Sequence, residues 1–177
     1  MEEFVLKAKH YQIFLSLSIP SLIAGFVPNF DPNIQLVKII FVGLAFTVWI
    51  FTLGRALNNC IPRRYQLSET FLIINLFAFA IIFALIAILL DYQLRFFGWA
   101  VLIPLYMLFS FVYLYYFASK ALTTAEKRKR TSFGEHVGEM ILLMTGYVGI
   151  WFIQPRINQI YQQNKSKILL EDTENIS

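Results

Sequence analysis

Charged residues are scarce in this chain, and cysteine is almost absent. Lys, Arg, Asp and Glu make up 15% of the 177 residues, whereas 58% of the residues are hydrophobic. A soluble domain of this composition would have too few polar side chains to cover its surface. The single cysteine, Cys60, excludes an internal disulfide and a cysteine-built zinc site, and a free thiol suits a reducing cytoplasmic face.

The chain also lacks a polar stretch long enough to form a soluble domain. Outside the apolar runs, the longest segments have about 15 to 20 residues, too few to enclose a core. The first apolar run follows Lys7 and Lys9 as a secretory signal would, but residues 22–26 do not form a small-residue cleavage site. We therefore expect a single membrane domain over residues 1–177, with an uncleaved first span.

Four long apolar runs dominate the rest of the sequence. Each approaches the length of about 20 residues that crosses a hydrocarbon core of roughly 30 Å, and each is nearly free of charge. The pattern predicts an all-α, polytopic helical membrane protein with four transmembrane helices in two hairpins, at residues 11–27, 34–53, 70–90 and 96–118. None of them has a central charged residue, which argues against an ion-coupled transporter.

The distribution of Lys and Arg predicts the orientation of these spans. Short loops rich in basic residues stay on the cytoplasmic side. Such residues occur at the N-terminus, after the second span and after the fourth span, whereas the connections 28–33 and 91–95 contribute only Arg95. The predicted location is the cytoplasmic (inner) membrane, multi-pass, with the N-terminus in the cytoplasm. The basic residues expected to dock a partner or lipid headgroups are Arg63, Arg64, Lys127, Arg128, Lys129 and Arg130.

A fifth apolar segment, at about residues 134–154, is short. Fourteen uncharged residues between Glu139 and Gln154 reach about 21 Å, and runs of this length are more often interfacial or re-entrant than spanning. A re-entrant path puts thirteen basic residues inside and two outside, against ten and five for a fifth span. The sequence therefore favours re-entry, with a tilted span or a thinned bilayer as the alternative.

Within this segment we expect a half-helix from about Gly134 to Met144, a break at residues 145–149 and a return through residues 150–153. Glycines at 146 and 149 motivate the break. The remainder, residues 157–177, is predicted to be a C-terminal tail that begins as a short helix and becomes mobile.

Two cytoplasmic exits resemble each other. Residues 54–59, Gly-Arg-Ala-Leu-Asn-Asn, and residues 119–124, Ser-Lys-Ala-Leu-Thr-Thr, follow the second and fourth spans at an offset of 65. One interpretation is a duplicated helical hairpin. The other is coincidence, because any two cytoplasmic helix ends collect Arg, Lys and small residues.

The C-terminal third carries a block that resembles a known set of proteins. Residues 133–138, Phe-Gly-Glu-His-Val-Gly, are followed by residues 149–158, Gly-Ile-Trp-Phe-Ile-Gln-Pro-Arg-Ile-Asn. The chain is similar in this block to an uncharacterised family of small bacterial polytopic membrane proteins with four spans. That resemblance implies the membrane architecture and no chemistry. The layout is also broadly similar to four-span accessory proteins of bacterial antiviral systems.

The same block holds the candidate polar residues at the cytoplasmic mouth of the fifth segment. Glu135, His136 and Glu139 lie close together, and on a helix the two carboxylates share a face. Such a group could hold a divalent metal or relay a proton. The alternative is a helix start, where acidic residues are favoured by the helix dipole. Because the second histidine of the zinc hydrolase motif is missing, no metal is predicted.

Three small residues, Thr145, Gly146 and Gly149, are the candidates for a pore lining. Glycines at bilayer depth let backbones approach closely or line a cavity. Asn75 is the most polar residue inside a span, and we expect it to form an interhelical hydrogen bond.

Two classes of function follow from these features. The first interpretation is an oligomeric pore or channel built from re-entrant segments around a shared axis. The alternative is an accessory or regulatory membrane subunit whose basic loops dock a soluble partner, as in a bacterial antiviral system. We expect no enzymatic activity, because no acid, base or nucleophile pair converges within the bilayer, and no cofactor. No nucleic acid is predicted, because membrane orientation accounts for the net charge of +4. The expected partners are the lipid bilayer and further subunits, in a homo-oligomer or a larger membrane complex.

Overall fold

The described part of the chain is helical. The computed structural model describes residues 2–26, 32–89 and 102–174, and these ranges contain helices and no strand. The helices are α1 (Glu2–Lys7), α2 (His10–Phe26), α3 (Pro32–Asn59), α4 (Thr70–Leu89), α5 (Leu102–Lys127), α6 (Phe133–Met144) and α7 (Tyr147–Glu174), with a 3-10 turn at Arg63–Tyr65. The predicted all-α class is confirmed.

Each of the four predicted spans lies on one of helices α2 to α5, although residues 27, 90 and 96–101 of those predictions fall outside the described ranges. Two described helices are long and apolar enough to cross a membrane, namely residues Phe41–Asn59 of α3 and the whole of α5. Helix α4 contributes a shorter apolar stretch, Thr70–Ile82. By length and composition these two helices could cross a membrane, and the four-span topology stays a prediction.

Apolar side chains cover the outside of these helices as well as their interior. Ile13, Ile50 and Leu122 are buried in the core. Large apolar residues are exposed on α2 to α5, among them Leu15, Ile19, Leu22, Phe41, Leu44, Val48, Ile74, Phe77, Ile81, Leu105 and Leu108. Helices that are apolar on all sides are typical of a lipid environment, because soluble proteins rarely expose contiguous apolar surface of this extent.

Helices α4 and α5 run antiparallel. The ring of Phe71 near the start of α4 lies 4.8 Å from that of Tyr113, and Asn75, one turn further along α4, bonds to Ser110, earlier on α5. Rising numbers on one helix therefore match falling numbers on the other. This is the hairpin predicted from the third and fourth apolar runs.

Helices α3 and α5 run parallel and, within the described residues, make the most extensive contact between two helices. Thr47 and Phe111 line one small cavity, and seven residues further along α3 Gly54 lies against Phe117. A β-carbon at Gly54 would lie 3.0 Å from the Phe117 ring, so this glycine allows the two helices to approach closely. The two similar exit segments therefore begin at a shared interface.

Helix α7 lies antiparallel to α2. Near the start of α7, the hydroxyl of Tyr147 donates to the carbonyl oxygen of Leu17 at 3.1 Å and lies 3.2 Å from the Ser21 hydroxyl. One turn later the Trp151 ring lies 4.4 Å from that of His10. The fifth predicted segment is thus packed against α2, the helix that contains the first predicted span.

Helix α6 folds back along α5. Phe133 at its start lies beside Tyr116, and Met140 shares a groove with Phe109, about two turns earlier on α5 than Tyr116. The chain that leaves α5 therefore reverses and returns towards the middle of that helix.

A sharp turn separates α6 from α7. Helix α6 ends at Met144, and Gly146 has φ +62°, a conformation that favours glycine. The break expected at residues 145–149 is shorter in the structure, because α7 already begins at Tyr147. The expected half-helix over about 134–144 corresponds to α6.

The turn reaches deep into the bundle. The Tyr147 ring lies 5.2 Å from that of Phe46, which at 1.5 Å per residue is about 20 Å from the end of α3 at Asn59. From this depth α7 returns towards the same end of α3 and α5 from which α6 began.

The expected C-terminal tail is a continuation of α7. The helix runs through Pro155 to Glu174, and residues 175–177 lie outside the described ranges. Ile153, Ile157 and Ile160 continue one buried face at helical spacing. The spacing of Ile157, Ile160 and Tyr161 predicts an apolar helix face, but against the bilayer or a neighbouring subunit. In the structure that face packs within the chain and the helix is longer, because Gln and Asn make the stretch polar in composition.

Candidate functional site at the basic end of the bundle

Four chain segments meet at one end of the bundle. The Asn164 amide on α7 donates to the carbonyl oxygen of Cys60, just after α3, at 3.0 Å. The Lys7 ammonium of α1 lies 5.6 Å from the centre of the Tyr161 ring on α7. The end of α5 joins them through Arg156, as described next. The N-terminal segment, both basic exits and α7 therefore share this end, which we call the basic end.

Arg156 connects three helices at the basic end. Its guanidinium donates two hydrogen bonds of 2.6 Å to the carboxylate of Glu126 on α5, and one of 3.0 Å to Glu139 on α6. A two-pronged Arg–carboxylate pair is among the stronger ion pairs in proteins. Glu126 first, and then Glu139, raise the pKa of Arg156, so its guanidinium stays charged at neutral pH. Glu139, a candidate for metal or proton chemistry, is thus held in a structural ion pair.

The Gln-Pro-Arg-Ile-Asn part of the C-terminal block also fixes α1. Gln154 is fully buried, and its amide donates to the carbonyl oxygens of Val5 at 2.8 Å and Ala8 at 3.0 Å. With its amide nitrogen turned towards α1, Asn158 donates to Leu6 at 2.7 Å. These side chains satisfy carbonyls that the end of a helix leaves without partners. The block is therefore a clamp between distant parts of the chain.

Glu135 supports the N-terminal cap of α6, whose cap residue is Ser132. The backbone amide of Ser132 donates to the Glu135 carboxylate at 2.9 Å, completing a capping box. The Lys127 ammonium lies 2.8 Å and the Lys129 ammonium 3.5 Å from the same carboxylate. Lys127 first, and then the Ser132 amide, lower the pKa of Glu135 to about 2. Of the two interpretations of Glu135, the structure therefore matches the acidic residue at a helix start.

His136 is buried between two rings. Its side chain is 1% exposed, with the ring centroid 5.1 Å from Tyr116 and 5.5 Å from Phe133. Nδ1 lies 2.8 Å from the carbonyl oxygen of Ser132, so the proton is assigned to this nitrogen. Burial lowers the pKa of His136 and favours the neutral ring. Nε2 is buried without a hydrogen-bond partner among the described residues.

The three polar candidates at the mouth therefore do not converge. Glu135 pairs with lysines, Glu139 pairs with Arg156, and His136 points into an aromatic contact. Among the described residues, no group of three His, Cys, Asp or Glu side chains is arranged to hold a metal ion.

The three pore candidates make local contacts. The Thr145 hydroxyl donates to the carbonyl oxygen of Leu142 at 2.6 Å, and Gly146 forms the turn. Gly149 lies so close to α6 that a β-carbon there would be 1.9 Å from the Leu142 oxygen. Each of these three residues thus contributes to the turn or to the contact between α6 and α7.

Asn75 links α4 to α5. Its side-chain oxygen accepts hydrogen bonds of 3.1 Å from Tyr106 and from Ser110. The residue is buried, so this network replaces the water that the amide loses.

The predicted docking residues fall into two groups. Lys127 and Lys129 are paired with Glu135, and the Arg64 guanidinium contacts the ring and hydroxyl of Tyr65. Arg63, Arg128 and Arg130 have no acidic partner among the described residues, and Arg63 and Arg130 are exposed. Arg64 likewise has no acidic partner among the described residues, so of the six docking candidates only Lys127 and Lys129 have their charge offset by a carboxylate.

A cavity of about 280 Å³ opens at the basic end, between the loop after α3 and the end of α5. Its polar lining includes Tyr65, Ser68, Lys120, Thr124, Arg130 and Thr131, and none of its lining residues is acidic. Sequence reasoning did not single out Lys120, because it is one of several basic residues after the fourth span. Its position one turn after Tyr116, whose hydroxyl accepts a 3.0 Å hydrogen bond from the ammonium, was the available signal.

Comparison of the chain with protein-family models, with curated proteins and with solved structures finds no match.

Proposed function

We propose that the protein is a multi-pass subunit of the cytoplasmic membrane, with its N-terminus and basic end in the cytoplasm and α6–α7 as a re-entrant hairpin. The outward-facing apolar residues of α2 to α5 support the membrane placement. The gathering of α1, both basic exits and α7 at one end supports the orientation, because basic segments stay in the cytoplasm. The deep turn at Gly146 supports re-entry.

Within that architecture, an accessory or regulatory role is better supported than a pore. The residues that motivated a pore are occupied by contacts within the hairpin, and the acidic residues at its mouth are paired with Lys127 and Arg156. By contrast, Arg63 and Arg128 carry charges without acidic partners among the described residues. These arginines carry the proposal that the basic end docks a soluble partner with an acidic surface.

The docking proposal is tested by neutralising the two arginines in the full-length protein. Arg63→Gln with Arg128→Gln should lower recovery of the soluble partner in a chemically crosslinked pull-down, while membrane extraction behaviour stays unchanged. Lys9→Gln, which removes a basic residue other than these two, is the control and should leave partner recovery unchanged. Equal partner recovery from the double variant and the parent protein would reject docking through this surface.

The topology is tested separately by a reporter at the C-terminus. A fluorescent protein fused there should fold and fluoresce in the cytoplasm, whereas a periplasmic phosphatase fused at the same position should stay inactive. An active phosphatase would show that the α6–α7 segment crosses the membrane.

A further inference from the structure

One face of α5 connects the basic cavity to an apolar groove. Phe109, Tyr113, Tyr116, Lys120 and Thr124 follow one another at three- and four-residue spacing, so they form a continuous stripe along the helix. The first three residues line the groove and the last two line the cavity. Polarity along this stripe changes once, at the contact between Tyr116 and Lys120.

The groove is apolar throughout. It encloses about 320 Å³ between α5 and α6, and it is lined by Phe109, Val112, Tyr113, Tyr116, Phe133 and Met140. Phe109 and Phe133 are half or more exposed, so the groove is open on the outer side of the bundle. In a membrane that side faces lipid tails.

The cavity at the other end of the stripe favours an anion. Lys120 and Arg130 supply positive charge. Ser68 supplies a hydroxyl donor, and the mutually hydrogen-bonded hydroxyls of Thr124 and Thr131 leave one more. Among the described residues neither Arg130 nor Lys120 has an acidic partner, and the Lys120 ammonium lies 3.0 Å from the Tyr116 hydroxyl and 5.3 Å from the centre of its ring. Neither charge is therefore neutralised by a carboxylate.

We propose that the cavity and the groove together bind one anionic phospholipid, with its phosphate between Lys120 and Arg130 and an acyl chain along the groove. The order of polar and apolar surface matches that of a phospholipid whose headgroup lies at the cytoplasmic interface. A soluble phosphate compound would leave the groove unfilled. This inference rests on the proposed membrane placement and is independent of the docking of a soluble partner.

The test is native mass spectrometry of the full-length protein in detergent, titrated with dioleoyl phosphatidylglycerol or dioleoyl phosphatidylcholine. One phosphatidylglycerol should bind more tightly than phosphatidylcholine. Lys120→Gln with Arg130→Gln should weaken the phosphatidylglycerol complex roughly thirtyfold, since each basic residue near a membrane surface contributes attraction to anionic lipid. Lys165→Gln, which removes an exposed charge on α7 that does not line the cavity, is the matched control and should leave the affinity unchanged.

A second variant tests the groove. Val112→Trp should obstruct the seat of the acyl chain, and excluding even two methylene groups lowers affinity about tenfold. Glycerol 3-phosphate serves as the soluble probe with the same phosphate chemistry. It should bind weakly, and Val112→Trp should not change its binding. Circular dichroism and gel filtration establish that each variant is folded.

Two outcomes would overturn the proposal. Equal retention of phosphatidylglycerol by the parent and by the Lys120/Arg130 double variant would show that the cavity does not hold the phosphate. Glycerol 3-phosphate binding as tightly as the lipid, with no effect of Val112→Trp, would assign the cavity to a soluble anion. Either result leaves the test of Arg63 and Arg128 in partner docking unaffected.

Discussion

Gly149 on α7 lies directly against the carbonyl oxygen of Leu142 on α6, and a β-carbon at position 149 would stand 1.9 Å from that oxygen. Helices α6 and α7 can therefore approach this closely only because residue 149 has no side chain. Because the obstructing atom belongs to the backbone, it cannot move aside as a flexible side chain would.

Gly149→Ala should destabilise the protein by about 1–3 kcal/mol, through displacement of α7 from α6. Thermal unfolding in detergent measures the change. Gly138→Ala is the matched control, because Gly138 lies on the exposed side of α6 with nothing within 4 Å of the added carbon. That substitution should stabilise α6 by about 0.5–1 kcal/mol. An equal response of the two variants would contradict the close approach.

The ion pair and hydrogen bond of Glu135 should make the stability of the protein depend on pH in the acidic range. Its pKa is lowered from 4.5 to about 2 by Lys127 and the Ser132 amide, so the folded state binds this proton less readily than the unfolded state. The stabilisation is therefore complete above pH 4.5 and is lost as the pH falls towards 2. Glu135→Gln should lower the melting temperature at pH 6 and lose that effect at pH 2 to 3. A pH-independent difference between variant and parent would indicate that the carboxylate is not the stabilising group.

Gln154 predicts a local effect on α1. Gln154→Ala removes the donors to the Val5 and Ala8 carbonyls and should cost about 1–3 kcal/mol, because the carbonyls lose their partners. Backbone amides of α1 should exchange with deuterium faster in the variant. Gln159→Ala, at an exposed position on the same helix, should leave the exchange rates of α1 unchanged. Protection of α1 in the Gln154 variant equal to that in the parent would contradict the clamp.

Arg128 predicts a stabilising substitution. It has φ +51°, a left-handed conformation that costs an ordinary residue about 1–2 kcal/mol. Arg128→Gly should raise stability by about 0.5–1 kcal/mol after the greater chain entropy of glycine is taken into account. Arg128→Ala removes the same charge and retains the strain, so it should be close to neutral in thermal unfolding. A lower melting temperature for the glycine variant than for the alanine variant would contradict this account.

The helices could be predicted wherever the local sequence alone favours them, without knowledge of the segments that they pack against. The all-α class follows from long apolar runs, and a turn near Gly146 follows from the residue type that tolerates positive φ. The length of α7 did not follow, since Ile153, Ile157 and Ile160 are separated by polar residues whose own side chains bind α1 and α5.

The ion pairs between residues that are distant in the chain could not be predicted from the sequence. Glu135 and Glu139 lie on one helix at a spacing that suggested a shared ligand, yet one faces Lys127 and the other faces Arg156. The partner of each depends on where α5 and α7 pack. The cavity around Lys120 depends in the same way on a loop more than fifty residues earlier in the chain.

The hydrogen bonds from Gln154 to α1 join residues almost the whole chain apart. During synthesis, the first helix emerges from the ribosome long before its anchor exists. Helix α1 can pack against α3 earlier, but the Val5 and Ala8 carbonyls stay without these donors until residue 154 has been made, so this clamp forms late in assembly.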